Sequence, residues 1–577
     1  MKTRLFFSAF ILSALVLFAF RLENKKPAKP FDITGYKKKN ILRCSPDWNE
    51  LKGWLEETSI PPIPGAGLHK WKISSKNDSA QFYFNQGINM YYSFHIIEAM
   101  ASFKKAARFD PGCGMLYWAQ ALAYGPNIND YGYRASPEAL EATQKAMENA
   151  GYSPIEKGLI HAMSVRYSVD SSQTREKLNE DYVQAMKKLY EEYSTHPEVQ
   201  ALYADAMMLQ HPWDLWTVEG KPKEWTPRIR EVLEKLLARN PMHPGANHYY
   251  IHLMEPSPFA AKALPSADRL GKTNPGLSHV VHMPSHIYLR TGLYNKGIEV
   301  NVNAVNSYKR SIPLYAPVTG ADFLYIIHNL HMKTNNAMMT GNYEASRGAA
   351  EETRNSIPAD YLSIPAPVGN VLQYIHAAPL FVQIRFGKWD AILQEPEPAA
   401  THAYSSVLYH FARSIAYAKK KNREAASREL DSMREFMKDS SLALPMTPFS
   451  APSVGADVAH NLLLGIIHEE KGQLDGAIRY YKKADSIEVN MVYNEPRDWL
   501  LSPKHFLGNA YLKNSQWKEA ENVFLQDLNY NNENGWSLIG LYQSYKAARK
   551  NADASKAIMR HKAAFAKADI KISSAVY

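Results

Sequence analysis

The sequence predicts an all-α protein assembled from helix pairs. Three observations carry this. Apolar residues recur at helical spacing between short Gly, Pro and Asn breaks, strand-like alternation is scarce, and small and aromatic residues return in a fixed register. With 45% hydrophobic and 21% charged residues over 577 positions, the composition is ordinarily globular and excludes collagen-like or wholly disordered readings. Two cysteines, Cys44 and Cys113, exclude a disulfide-rich scaffold and a four-cysteine zinc module, although they can pair in an oxidising compartment.

Residues 1–20 read as a signal peptide or membrane anchor. A basic start (Lys2, Arg4) precedes a sixteen-residue apolar run from Leu5 to Phe20, close to a secretory apolar region and short for a membrane span. The cleavage signal after Ala19 is poor, so cleavage and anchoring both stay open, and the expected location is the cell envelope. If the run stays uncleaved, the basic residues after it favour a cytoplasmic body, so the topology is open as well. Residues 21–76 read as a basic linker and N-terminal cap. The net charge of +10 is concentrated at the start: residues 1–43 hold ten Lys/Arg against Glu23 and Asp32. The remaining 534 residues carry 57 basic and 55 acidic groups, which argues against a general phosphate-binding face and predicts no nucleic-acid partner.

From residue 77 to 577 the register takes over. After Gly87, Ala99, Phe103, Ala106 and Pro111 lie at offsets of 12, 16, 19 and 24. After Gly465, Ala477, Tyr481 and Ala484 fall at the first three of these, and Gly508 is followed by Tyr511, Ala520 and Phe524. Trp536 and Gly540 open a further copy. Weaker copies start at Ile251, Ser285, Thr334 and Ser414. Small residues are expected where two helices touch, because axes approach to ~8–10 Å only over short side chains. This pattern resembles the tetratricopeptide repeat, a helix–turn–helix unit. The resemblance implies a right-handed α-α superhelix of about eight to ten helix pairs, with His-rich repeats at 236–360. The segments HPGANHYYIH, HMPSHIYLRTGLY, IIHNLH, EPRDWL and ENGWSLIGL are similar to a set of bacterial tetratricopeptide-repeat proteins, which implies an exported or envelope context and no particular reaction.

Eight of the 20 histidines lie between His243 and His331. His248 and His252 are four apart, His282 and His286 are four apart, and the two pairs are separated by 34 residues. The resemblance places these positions on the concave side of the first helix of each unit. His331 and Asn335 take the same positions in the next unit, His279 and His328 lie one turn earlier, and Glu255 shares a face with His252. Imidazoles four apart on a helix can close around one cation, and a neighbouring helix can supply a further ligand. The candidate metal ligands are therefore His248, His252, Glu255, His282, His286, His328 and His331, with His279, Asn335 and Tyr249 lining the groove. Zn, Cu, Fe and Mn all suit such a set. His248/His252 with Glu255 form one candidate face, and His282/His286 with His328 or His331 a second. Pro284 threatens the alignment of His286.

Two function classes stay open: a groove that binds a transition metal or small polar ligand, catalytic or not, and a scaffold that binds a peptide or partner protein with structural histidines. The segment from His211 to Trp216, with Trp225, reads as a hydrophobic plug or a cover over one mouth of the groove. Lys419–Lys421 read as a solvated helix end. No dinucleotide fingerprint, G-x-S-x-G or H-E-x-x-H is present, and no nucleotide cofactor is expected.

Overall fold

The computed structural model describes residues 47–577 apart from 58, 131, 132, 134, 150–152, 171 and 316–322, together with residues 35, 38 and 39. Residues 1–20, expected to be a signal peptide or membrane anchor, and Cys44 lie outside the described residues. Among the described residues no helix is long and apolar enough to cross a membrane. Cys113 is buried.

The described chain is all-helical, an α-α superhelix of antiparallel pairs. Local chemistry sets the helix starts. Asn77, Asn342, Asn422 and Asn534 each accept a hydrogen bond from a first-turn amide. Pro137, Pro197, Pro244, Pro452 and Pro503 open helices where a missing N–H costs nothing. The small slots act as the register requires. A Cβ on Gly87 would lie 2.4 Å from the Phe103 ring, and one on Gly465 2.3 Å from Tyr481. Phe524 is held between Gly508 and Gly540, at 2.5 and 2.2 Å from a Cβ built on each. Gly508→Leu is therefore expected to destabilise by ~1–3 kcal/mol through overpacking. Chemical denaturation checks this, and an unchanged midpoint would mean Phe524 has room to move.

In several units the residue seven after the small slot takes up the left-handed conformation. Gly292, Gly341 and Gly472 occupy it after Ser285, Thr334 and Gly465, with φ of +77°, +71° and +75°. In the first unit the same place, seven after Gly87, is Phe94, with φ +56°. A bulky side chain there costs ~1–2 kcal/mol.

Two apolar cores meet in the middle of the chain. One runs from Trp48 to Tyr325, the other from Tyr294 to Val576. Segment 59–76 closes the first: Trp71 packs edge-on against Phe84 and Trp118, and the Gly276 amide donates to the Gly65 carbonyl at 2.8 Å. The final units fold back on the middle of the chain. Arg290 donates to the carbonyls of Glu255 (3.0 Å), Ser257 (2.9 Å) and Tyr530 (2.6 Å), and lies 3.5 Å over the Tyr530 ring. Trp536 donates to the Met338 carbonyl at 2.9 Å, and Tyr294 to Asn532 at 2.6 Å. The expected open groove is consequently filled beside the histidines. Residues 491–501, between the helices Leu474–Val489 and Pro503–Lys513, run into it, with Trp499 against Phe381 and Phe411.

Candidate metal centre

The helix Pro244–Met254 is buried along its whole length, with no solvent face, and its apolar residues belong to the first core. His248 and His252 project from one side of it. The next first helix is interrupted at Met283. Pro284 has no N–H to continue the ladder, and the His286 amide turns to the Met283 carbonyl at 3.2 Å. The interruption does not misalign the pair: His282 and His286 Nε2 are 2.8 Å apart. A π-helical turn, Phe323–Ile327, leads directly into the helix His328–Met338 and delivers His328.

The imidazoles gather in two trios, His248/His252/His279 and His282/His286/His328. In the first, His248 Nε2 lies 3.1 Å from both His252 Nε2 and His279 Nε2. In the second, His282 Nε2 lies 2.8 Å from His286 Nε2 and 3.2 Å from His328 Nε2. The trios are neighbours, with the His279 and His282 ring centroids 5.8 Å apart.

What lies behind the rings fixes which nitrogen carries the proton. His248 Nδ1–H donates to the Tyr92 carbonyl at 2.6 Å. His282 Nδ1–H donates to Asn301 Oδ1 at 3.0 Å, and Asn301 Nδ2 donates to Gly297, which assigns that oxygen. His252 and His286 each place Nδ1 3.0 Å from a different oxygen of Glu255. In His248, His252 and His282 the proton is therefore on Nδ1 and the Nε2 lone pair points at its neighbours, while His286 turns Nδ1 to Glu255 and Nε2 to His282. Burial holds His248, His279, His282 and His328 well below the ordinary imidazole range, with the adjacent histidines adding to it, and lowers His252 as well.

Glu255 thus stands behind the imidazoles, orienting one from each trio, rather than beside the Nε2 atoms. Tyr493 donates to it at 2.9 Å. Glu495, 3.3 Å from His286 Nε2, completes the acidic side. Burial and the charge of Glu255 hold Glu495 well above the usual carboxyl range. Against burial, His286 and the hydrogen bond from His252 hold Glu255 well below it. The pair therefore keeps one proton and one negative charge.

Other expected residues sit differently. His279, expected only to line the groove, is a full member of the first trio. His331 does not join a trio. Its ring meets Tyr374 edge-on at 5.8 Å, and its Nε2 is buried without a partner. Three residues past His328, it points a helical step away from the Nε2 atoms. Tyr249 is not on a groove but in the first core, between Tyr92 and Phe94. Asn335 lines a separate cavity on the far flank of His286 and Glu495.

Two aromatic residues with positive φ cover the first trio. Phe94 stacks over His252 and His279 and meets His248 at a centroid distance of 4.5 Å. Trp213, φ +63°, stands edge-on to His252 at 5.4 Å and donates to the Ile128 carbonyl. Trp213 thus makes the 211–216 segment a cover over the centre, while Trp216 and Trp225 anchor it through bonds to the Leu253 and Asp214 carbonyls.

A third cluster, His69/Glu198/His243, is of another kind. His243 Nδ1 accepts the Ala246 amide as a helix cap, so its Nε2 carries the proton, facing Glu198 at 3.5 Å. No lone pairs converge there.

Residues 505–535 match the family model of the tetratricopeptide repeat. None of the curated protein sequences matches the chain. Among solved structures, the chain is similar to a human IFIT1 dimer with m7Gppp-AAAA at 14% identity, over 86% of this chain and 92% of that one, with a TM-score of 0.29. Yeast Tom70 aligns at 12% identity over 85% of this chain and 96% of its own, TM-score 0.29. The TPR domain of P58(IPK) aligns at 10% identity over 82% and 99%, TM-score 0.18. Likeness at these identities concerns the helical-repeat fold alone.

Proposed function

We propose that this tetratricopeptide-repeat protein binds transition-metal ions in two three-histidine centres, joined through Glu255, in the middle of its closed solenoid. One observation carries the reading: in each trio the buried Nε2 atoms converge to 2.8–3.2 Å, and between His248 and His252, both protonated on Nδ1, two lone pairs meet at 3.1 Å. Neutral imidazoles in that arrangement repel, and in a dry interior the repulsion is not screened. A cation removes it. Two nitrogens at ~2.0–2.1 Å from a tetrahedral ion lie ~3.3 Å apart, close to the spacings found. Imidazole-only ligation backed by a carboxylate, a carbonyl and an amide favours zinc or copper over manganese. Three histidines with no fourth protein nitrogen leave room for a further ligand, the arrangement in which such ions polarise a bound water or substrate.

The same observation disfavours the peptide-scaffold reading at this place, since the chain's own residues 491–501 lie where a peptide would enter. Location in the cell envelope stays part of the proposal and rests on the basic start and the apolar run of residues 5–20.

Elemental analysis of the purified protein is expected to find about two zinc or copper ions per chain, one for each trio. Stripping them with a chelator should lower stability, and returning metal at ~1,000 times its dissociation constant should restore ~4 kcal/mol. A protein that purifies metal-free, takes up no zinc or copper and is equally stable with and without chelator would refute the proposal.

A further inference from the structure

Beside the two trios lies a chamber of about 1160 Å³, mouth included. Its walls are aromatic and aliphatic, with Trp213, Phe323, Tyr374, Phe449 and Met491 among them. One imidazole of each trio, His279 and His328, also belongs to the wall. No Lys or Arg lines it among the described residues. Among the described residues, five lining side chains hold buried polar atoms with no partner: His331 Nε2 and Asn129 Oδ1, both on residues more than nine-tenths buried, together with His279 Nδ1, the Tyr374 hydroxyl and Glu495 Oε1. An unpaired buried polar atom costs ~1–3 kcal/mol, which a complementary ligand recovers.

The chemistry of those atoms narrows the ligand. Asn129 Oδ1 requires a donor. His331 is held neutral, its basicity pushed down to about 3 by burial, and offers a donor or an acceptor according to tautomer. A hydroxyl serves both. Of the wall carboxyls, Asp498 gives a cation no pull of full strength, since burial pushes it up to about 7. An anion would meet no basic partner at all.

We propose that this chamber binds a neutral aromatic molecule carrying a hydroxyl group, seated on the aromatic wall with the hydroxyl at His331. The inference goes beyond metal binding and does not depend on it, because the wall and the unpaired atoms are there without an ion. It would place a hydroxylated ring next to an imidazole of each trio.

The test uses the full chain with metal removed by chelator and three probes of one shape: 2-naphthol, naphthalene and 2-naphthoate, followed by calorimetry or equilibrium dialysis. 2-Naphthol is expected to bind about tenfold more tightly than naphthalene, the worth of one buried hydrogen bond, and 2-naphthoate more weakly than either. His331→Phe should bring 2-naphthol down to the naphthalene affinity and leave naphthalene unchanged. Val371→Trp, on the same wall, should block all three probes while helix content and metal uptake stay as in the parent. Equal affinity for naphthol and naphthalene, tightest binding of naphthoate, indifference to both substitutions, or no binding of any probe would each overturn the proposal. Metal uptake is measured separately, so failure here leaves the two-centre reading standing, and the reverse.

Discussion

His248→Ala is expected to remove one bound ion per chain and His282→Ala the other, with helix content unchanged in both. Each substitution deletes the imidazole whose Nε2 faces both other nitrogens of its trio. Neither fills a slot where the two helices of a unit touch. Glu255→Gln should act on both centres at once. A carboxylate accepts from His252 and from His286 through separate oxygens, whereas an amide offers one acceptor and turns a donor toward the other ring. The expected loss is about 10–100-fold in affinity at each centre. Metal-to-protein ratios and competition with a chromogenic chelator read these outcomes. If His248→Ala discharged both ions, the trios would be one centre; if Glu255→Gln left both affinities untouched, the carboxylate would be a packing group only.

Arg290→Ala is the second large effect. The guanidinium is buried and ties three carbonyls from two distant parts of the chain, each by a bond from a charged donor worth ~1.5–3 kcal/mol. Releasing the buried charge offsets part of the loss. A net destabilisation of ~3–5 kcal/mol is expected, with residues 503–577 becoming the first segment cut in limited proteolysis. Arg290→Lys should behave nearly as badly, since an ammonium cannot span three carbonyls in a plane. Uniform protection across the chain in either variant would show that the final units hold without this clamp.

The repeat, its register and the convergence of His248/His252 with His282/His286 were legible in the sequence, because a period of 34 residues maps directly onto neighbouring helices. The limits of that legibility follow from the same physics. A local period says which residues share a face within a unit, and nothing about where a distant unit returns. Glu495 and Tyr493 were invisible for this reason. They reach the centre from about 240 residues away, although EPRDWL already stood among the segments carrying the resemblance. His279 and His331 exchanged roles because a single step around the helix decides whether a ring enters a trio, and spacing alone does not fix that rotation. The orienting role of Glu255 depends on which ring nitrogen it meets, which spacing does not encode. Phe94 did carry a readable signal, an aromatic seven residues after Gly87 where other units place glycine.

The return of the last repeats onto the first half changes what kind of object this chain is. In an open repeat array each unit answers only to its neighbours, and unfolding spreads piecemeal from the ends. Here Tyr530, Asn532 and Trp536 are fastened to residues 290–338, so an end cannot fray without pulling on the middle. During synthesis the six trio histidines leave the ribosome long before Tyr493 and Glu495. A chain cut short after residue 490 would therefore carry every imidazole and lack the acidic side that closes over them. On the proposed reading, completion of the centre would mark synthesis at least as far as residue 495.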